Sequence, residues 1–183
     1  MTRKLLPLAI VLSLWSVTAQ ASGAERKDLQ IANDVSRAVN RYSKFTIFDD
    51  VTIGVRDGVV TLGGKVTMPY KRDDIEKRVA KIEGVKDVRD HIGVLPVSLG
   101  DDALRNRIAR SIYGNSNFWN YAVMANPPIH IIVEHGRVTL TGVVQSDVDR
   151  MLARSLATNV NAFSVTNNLK TDAEVRDGLE KSE

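Results

Sequence analysis

Three histidines, His91, His130 and His135, are the chain's only imidazoles, and it has no cysteine. A zinc site would need three or four His, Cys, Asp or Glu side chains to converge. His130 and His135 are five positions apart on one strand-like run and its turn, and an odd separation sends side chains to opposite faces of a regular strand. His91 belongs to another part of the chain, so a site would have to recruit carboxylates such as Glu134. No metal is expected. The lack of cysteine also excludes a thiolate nucleophile and a disulfide scaffold. There is no Gly-x-Ser-x-Gly elbow, no Gly-x-Gly-x-x-Gly loop and no phosphate loop ending in Gly-Lys-Ser/Thr. Gly63-Gly64-Lys65 is too short to wrap a phosphate. The adjacent carboxylates Asp49-Asp50, Asp73-Asp74 and Asp101-Asp102 fall in turns or opening helical turns, where the helix dipole already favours negative charge. The inventory points away from catalysis: no enzyme, no cofactor and no metal.

What remains is surface chemistry. Lys71, Arg72, Lys77, Arg78 and Lys81 crowd one helical stretch, with Lys65 and Lys86 nearby. Such a face suits anionic lipid headgroups. The plainer alternative is a solvated helix balanced by Asp73, Asp74, Glu76 and Glu83. Nucleic acid is not expected as a partner, because no aromatic residues interleave with the basic ones on a strand face. The second candidate is Phe118-Trp119-Asn-Tyr121, followed by Met124, which combines aromatic area with polar ring atoms. This segment is either a contact surface for lipid or a partner protein, or a lid over the second half or a filler of the joint between halves.

The elements that must position these residues come in two copies. Gly58-Val-Val-Thr-Leu-Gly-Gly-Lys-Val66 returns 78 positions later as Gly136-Arg-Val-Thr-Leu-Thr-Gly-Val-Val144, with six of nine positions identical. In the first copy a helix is expected over Asp28–Tyr42, with Ile31, Val35 and Val39 on its apolar stripe. A strand follows over Val51–Val55, then Asp57-Gly58 in a type I′ turn, then the return strand Val59–Val66. The glycines there suggest a bulge or a close approach by a helix. Pro69 opens a second helix, which Gly84 ends, and a third strand runs from Val85 to about Val94. The second copy repeats the order. Its first helix carries Leu104, Ile108 and Ile112, its strands span Ile129–Val133 and Arg137–Val144, and its second helix turns Val148, Leu152 and Leu156 inward. Phe163, Val165 and Leu169 build its last strand. Ser98 with Asp101 and Ser146 with Asp149 read as capping boxes.

The N-terminus reads as a separate object. Arg3 and Lys4 precede the apolar run Leu5–Val17, and Ala19-Gln20-Ala21 gives the small-x-small cleavage pattern of a secretory signal peptide. Losing it leaves 23 basic against 22 acidic residues, so the formal charge falls from +3 to +1. The basic balance is therefore poor support for a nucleic-acid partner. The expected organisation is a signal peptide at 1–21, a first unit at 28–95, a joint at 96–100, a second unit at 101–170 and a charged tail at 171–183 that frays.

The Gly-x-Val-x-Leu-x-Gly-x-Val signature resembles that of the BON domain family, as do the helix behind it and the runs Val85-Lys-Asp-Val88 and Phe163-Ser-Val-Thr-Asn167. The likeness covers nearly all of the mature chain. The second copy is the better match; the first carries Asp90-His91 where the family more often has asparagine, as at Asn167, which implies a looser turn there. The resemblance implies an α+β class, as two tandem α-β-β-α-β sandwiches, each a three-stranded mixed sheet with two helices on one face. It also implies a non-enzymatic, periplasmic module that binds an anionic phospholipid surface or an envelope protein, or self-associates. Gly58, Gly64, Gly136 and Gly142 are then architectural.

Overall fold

The computed structural model describes residues 19–180. The signal-peptide expectation rests on residues 1–21, most of which lie outside that range.

The first unit opens with helix α1 (Ala19–Asn40), continues through strands β1 (Asp50–Arg56) and β2 (Val59–Val66), helix α2 (Pro69–Val79), and the short strands β3 (Asp87–Asp90) and β4 (Gly93–Val94). The second repeats this as α3 (Leu99–Tyr113), a short helix α4 (Trp119–Ala122), β5 (Ile129–Glu134), β6 (Arg137–Val144), α5 (Asp147–Thr158), β7 (Ser164–Asn167) and β8 (Lys170–Thr171). A last helix, α6 (Asp172–Glu180), stands where a fraying tail was expected. Thr171 and Glu174 cap it reciprocally: the Thr171 N–H donates to Glu174, and the Glu174 N–H donates to the Thr171 hydroxyl. Arg150 pairs with Glu174 at 2.8 Å.

Each sheet is mixed. β2 pairs antiparallel with β1 and parallel with β3 and β4; β6 pairs in the same way with β5, β7 and β8. The expected third strand is thus one lane broken in two. The break comes at Asp90 in the first unit, whose carboxylate accepts from the Ile92 N–H, and at Asn167 in the second, which accepts from the Leu169 N–H. Asp90 makes the same local turn as Asn167, but as a carboxylate it lacks the amide donor that Asn167 gives to the Arg150 carbonyl.

Asp57-Gly58 has φ of 53° and 80°, and His135-Gly136 has 53° and 73°. Both are positive-φ pairs, as a type I′ hairpin demands. Gly64 and Gly142 also have positive φ, but neither marks a bulge, since both ladders run in unbroken register. Nor does a helix approach them. A Cβ on Gly64 would strike the Asp50 carbonyl and one on Gly142 the Pro128 carbonyl, so the close neighbour is the adjacent strand.

Two cores result. In the first, Val60, Leu62 and Val66 of β2 meet Ile31, Val35 and Val39 of α1 and Ile75 and Val79 of α2. In the second, Val138, Leu140 and Val144 meet Leu104, Ile108 and Ile112. Fully burying each such side chain is worth about 1.5–3 kcal/mol. Here α5 departs from expectation. Its inward residues are Ala153 and Ala157, with Leu152 and Leu156 half-buried at the side and Val148 exposed. Phe163 is exposed as well, beneath the Arg137 guanidinium.

The units touch through the end of α1, the segment before β1, and β2. The Ile131 N–H donates to the Ile47 carbonyl at 2.7 Å, Asn126 Nδ2 donates to the Asn40 carbonyl at 2.9 Å, and Lys65 pairs with Glu134 at 3.2 Å.

Candidate contact surfaces and the polar nodes behind them

Lys71 is not part of a basic surface. It is 5% exposed, and its Nζ donates to Asp49 at 2.6 Å and to the Thr67 hydroxyl at 2.8 Å. Asp49 is wholly buried and also accepts from the backbone N–H and hydroxyl of both Thr46 and Thr67, all at 2.8 Å. Burial alone would raise this carboxyl. The Lys71 ammonium, the Thr67 N–H and the two hydroxyls outweigh it and hold the pKa below the ordinary value. The node ties the segment before β1 to the β2–α2 junction.

The rest of the helix is partly spoken for. Arg72 is half-buried, 3.3 Å from Asp73 and 3.7 Å from Asp90. Lys77, Arg78 and Lys81 are exposed. The Arg78 guanidinium lies 4.7 Å from the centre of the Tyr42 ring, whose hydroxyl donates to Asp74 at 2.6 Å. Burial and that acceptor push the Tyr42 hydroxyl up to about 12. Of the five named from sequence, Lys77, Arg78 and Lys81 are therefore the ones exposed, with Arg78 lying over an aromatic ring.

The aromatic insertion divides the same way. Phe118 is fully buried and Tyr121 is 4% exposed, both in the second core. Neither is available to a partner. The Tyr121 hydroxyl accepts from the Gln145 N–H at 2.8 Å and donates to Asp149 at 3.0 Å, and burial raises its pKa. Trp119 is 67% exposed, and Val123, one turn further on and so on the same side, is 62% exposed. Tyr121 pins α4 against the first turn of α5, where Val148 and Met151 are also exposed.

Two structural carboxylate contacts escaped the sequence reading. Asp28 accepts from the N–H groups of Asp57 and Gly58 at 2.7 and 2.9 Å, and Asp101 from those of His135 and Gly136 at 2.9 and 2.8 Å. Each clamps its unit's hairpin turn to its first helix. Asp101 therefore does not complete a capping box. Its N–H donates to Ser98 Oγ, but its carboxylate faces the turn. Asp149 likewise gives its N–H to Ser146 while its carboxylate turns to Tyr121. A recurring Asp 29 residues before Asp57 and 34 before His135 is the only sequence signal, and that uneven spacing hid it.

Among the described residues no three His, Cys, Asp or Glu side chains are placed to hold a metal ion. No described helix is long and apolar enough to cross a membrane.

Comparison with known proteins settles the family. The BON domain model matches residues 27–96 and again 101–173.

This chain belongs to the BON domain family.

No curated protein matches it. Among solved structures, similarity extends to CdsD, a structural protein of the type III secretion system of Chlamydia trachomatis. That match has 13% identity and a TM-score of 0.30, covering 82% of this chain and 97% of that one. The C-terminal domain of CdsD gives 12% identity and a TM-score of 0.28, covering 77% and 96%. In the BON units of this chain, Gly58, Gly64, Gly136 and Gly142 all have positive φ.

Proposed function

We propose that this protein is a non-enzymatic, exported module of the bacterial envelope that attaches peripherally to an anionic phospholipid surface. The observation that carries the reading is Trp119, an indole two-thirds exposed with Val123 beside it, on a helix whose neighbouring aromatics are buried. Lys77, Arg78 and Lys81 supply the charge. Each near-surface cation contributes on the order of 1 kcal/mol at a strongly anionic leaflet, fading over a Debye length of about 10 Å at 0.1 M salt. Apolar burial adds roughly 25 cal/mol per Å². Attachment by either contribution alone is marginal; presented to one leaflet on a common side, the two suffice for reversible binding.

Co-sedimentation with anionic and neutral vesicles across a salt series tests this. Salt-sensitive pelleting with anionic vesicles is expected, weakened in Lys77→Glu/Arg78→Glu/Lys81→Glu and in Trp119→Ala. Wild-type protein that stays in the supernatant with anionic vesicles at low salt ends the reading. A second reading, attachment to an envelope protein or to another copy, rests on Val148 and Met151, two exposed apolar residues on one side of α5. Loss of self-association or of partner capture in Val148→Ser/Met151→Ser, with vesicle binding intact, would favour it.

A further inference from the structure

We propose that the free edge of β1 is where two copies of this chain pair, antiparallel and about a twofold axis, into one continuous sheet. The carbonyls of Leu62 and Val66 accept from the N–H groups of His91 and Leu95, in the lane of β3 and β4. The backbone groups of Thr61 and Gly63 therefore face β1, and their partners Gly54 and Thr52 are bonded inward. That leaves the N–H and C=O groups of Val51, Ile53 and Val55 pointing outward. In β5 the equivalent groups, 78 positions on, are taken. Ile129 exchanges both bonds with the Tyr113 hydroxyl, the Ile131 N–H goes to Ile47, and the Val133 carbonyl accepts from Arg105 at 2.6 Å. Counted from the clamping aspartates Asp28 and Asp101, Arg105 and Tyr113 correspond to Ala32 and Asn40. Neither caps β1: among the described residues no hydrogen bond ends on the outward groups of Val51, Ile53 or Val55. Ile129, Ile131 and Val133 are wholly buried, whereas Val51, Ile53 and Val55 are half-buried.

Edges that stay single are short, charged or interrupted. The opposite edge of this sheet follows that rule: β3 is four residues long, and three of them are charged. β1 is seven residues long in unbroken register, with no proline or lysine and with charges only at its ends, Asp50 and Arg56. Those charges name the partner. Antiparallel pairing centred on Ile53 sets Ile53 against its own copy, Val51 against Val55 of the second copy, and Asp50 against Arg56 of the second copy. The outward groups then meet in hydrogen-bonded pairs that each exchange both bonds. Twofold symmetry puts the opposite-charge pair at both ends of the contact. Among the described residues neither Asp50 nor Arg56 has an ion-pair partner, and Lys65, across from Asp50 on β2, reaches away to Glu134. A Cβ at Gly54 would meet nothing within 4 Å, which leaves room for Thr52 of the second copy opposite it. Ala32 and Ser36, one turn apart, keep that flank of α1 small, so the two α1 helices have room to lie side by side.

Sedimentation velocity of the full chain across a concentration series, without lipid, tests this. Wild-type protein is expected to form a dimer. Asp50→Arg and Arg56→Asp each set like charges opposite one another at both ends and should weaken the dimer by roughly tenfold or more. An equimolar mixture of the two variants should recover the wild-type affinity, because each like pair becomes an opposite one. In case the variants fold poorly, amide exchange on the wild type gives a second readout: the Val51, Ile53 and Val55 amides should be protected at high concentration and lose that protection on dilution. The proposal is overturned if the wild type stays monomeric up to millimolar concentration, if both charge variants associate as the wild type does, or if protection of the β1 amides does not depend on concentration. Association lost in Val148→Ser/Met151→Ser but untouched by the charge variants assigns the contact to α5 and overturns it too. Failure to bind vesicles bears only on the membrane reading, since no lipid takes part in this pairing.

Discussion

The same point in the two units is held together by opposite chemistry. Where the second strand of the hairpin passes into the following helix, the first unit buries an ion pair, Asp49 with Lys71. The second unit places a neutral hydroxyl, that of Tyr121, against Asp149. Lys71 and Asp149 are equivalent positions, 78 apart, as are Thr67 and Gln145. The backbone N–H of each latter residue is satisfied, by Asp49 in one unit and by Tyr121 in the other. The fold requires an acceptor at this place. It does not require a charge. One unit meets the need with a residue just ahead of its first strand, the other with an inserted helix.

Breaking the charged version should have the largest effect. Lys71→Met leaves Asp49 buried without its cation and should cost about 3–5 kcal/mol in denaturant unfolding of the first unit. A cost well under 1 kcal/mol would mean that the four threonine donors alone suffice. The same node predicts an acid limb. The folded Asp49 carboxyl ionises below its ordinary value of 3.8, so below that pH the unfolded chain takes up a proton that the folded chain still refuses. Stability from this group is complete above the ordinary value and is lost as pH falls through the folded one. The pH dependence of the denaturation midpoint should be flatter in Asp49→Asn over that window.

The neutral node should be cheaper to break. Tyr121→Phe strands the Gln145 N–H and removes the partner of Asp149, a loss of about 1–3 kcal/mol confined to the second unit. Amide exchange at Gln145 should quicken. A loss as large as that from Lys71→Met would erase the distinction between the nodes.

The smallest effect concerns the broken third lane. Asn167 Nδ2 donates to the Arg150 carbonyl at 2.9 Å, whereas Asp90 has no donor and sits 3.7 Å from the Arg72 guanidinium. Arg72 and Arg150 are again equivalent. Asp90→Asn should bring the first unit into line with the second and raise its stability by about 0.5–1 kcal/mol, read as a small rise in its melting midpoint. A fall would show that the ion pair outweighs the missing amide.

The hairpin turns were legible because their cause is local, whereas Gly64 and Gly142 answer to the adjacent strand rather than to the bulge or helix expected of them. Asp-Gly fixes a turn, and alternation assigns Val60, Leu62 and Val66 to one face. The polar nodes were not, because spacing along one helix carries no trace of a partner 22 residues away, as with Lys71 and Asp49. Lys71 looked like one more cation on a basic face. Tyr121 and Phe118 looked like contact residues because aromatic content does not distinguish a core from a surface. On α5, the larger Leu152 and Leu156 drew the expected stripe one position away from the alanines that face the sheet. Of the surface named from sequence, Lys77, Arg78, Lys81 and Trp119 remain exposed.

Repeated domains in one polypeptide carry a hazard of their own, since similar neighbours can exchange pieces while folding. The two nodes bear on that. If the segment before β1 closed onto α5, Asp49 would meet the half-buried Asp149, and two carboxylates would stand side by side. The complementary mistake would bury Lys71 against the Tyr121 hydroxyl with no anion beside it. Both wrong pairings are penalised while both right ones are satisfied, so the mismatch in charge between otherwise similar halves helps each segment find its own sheet.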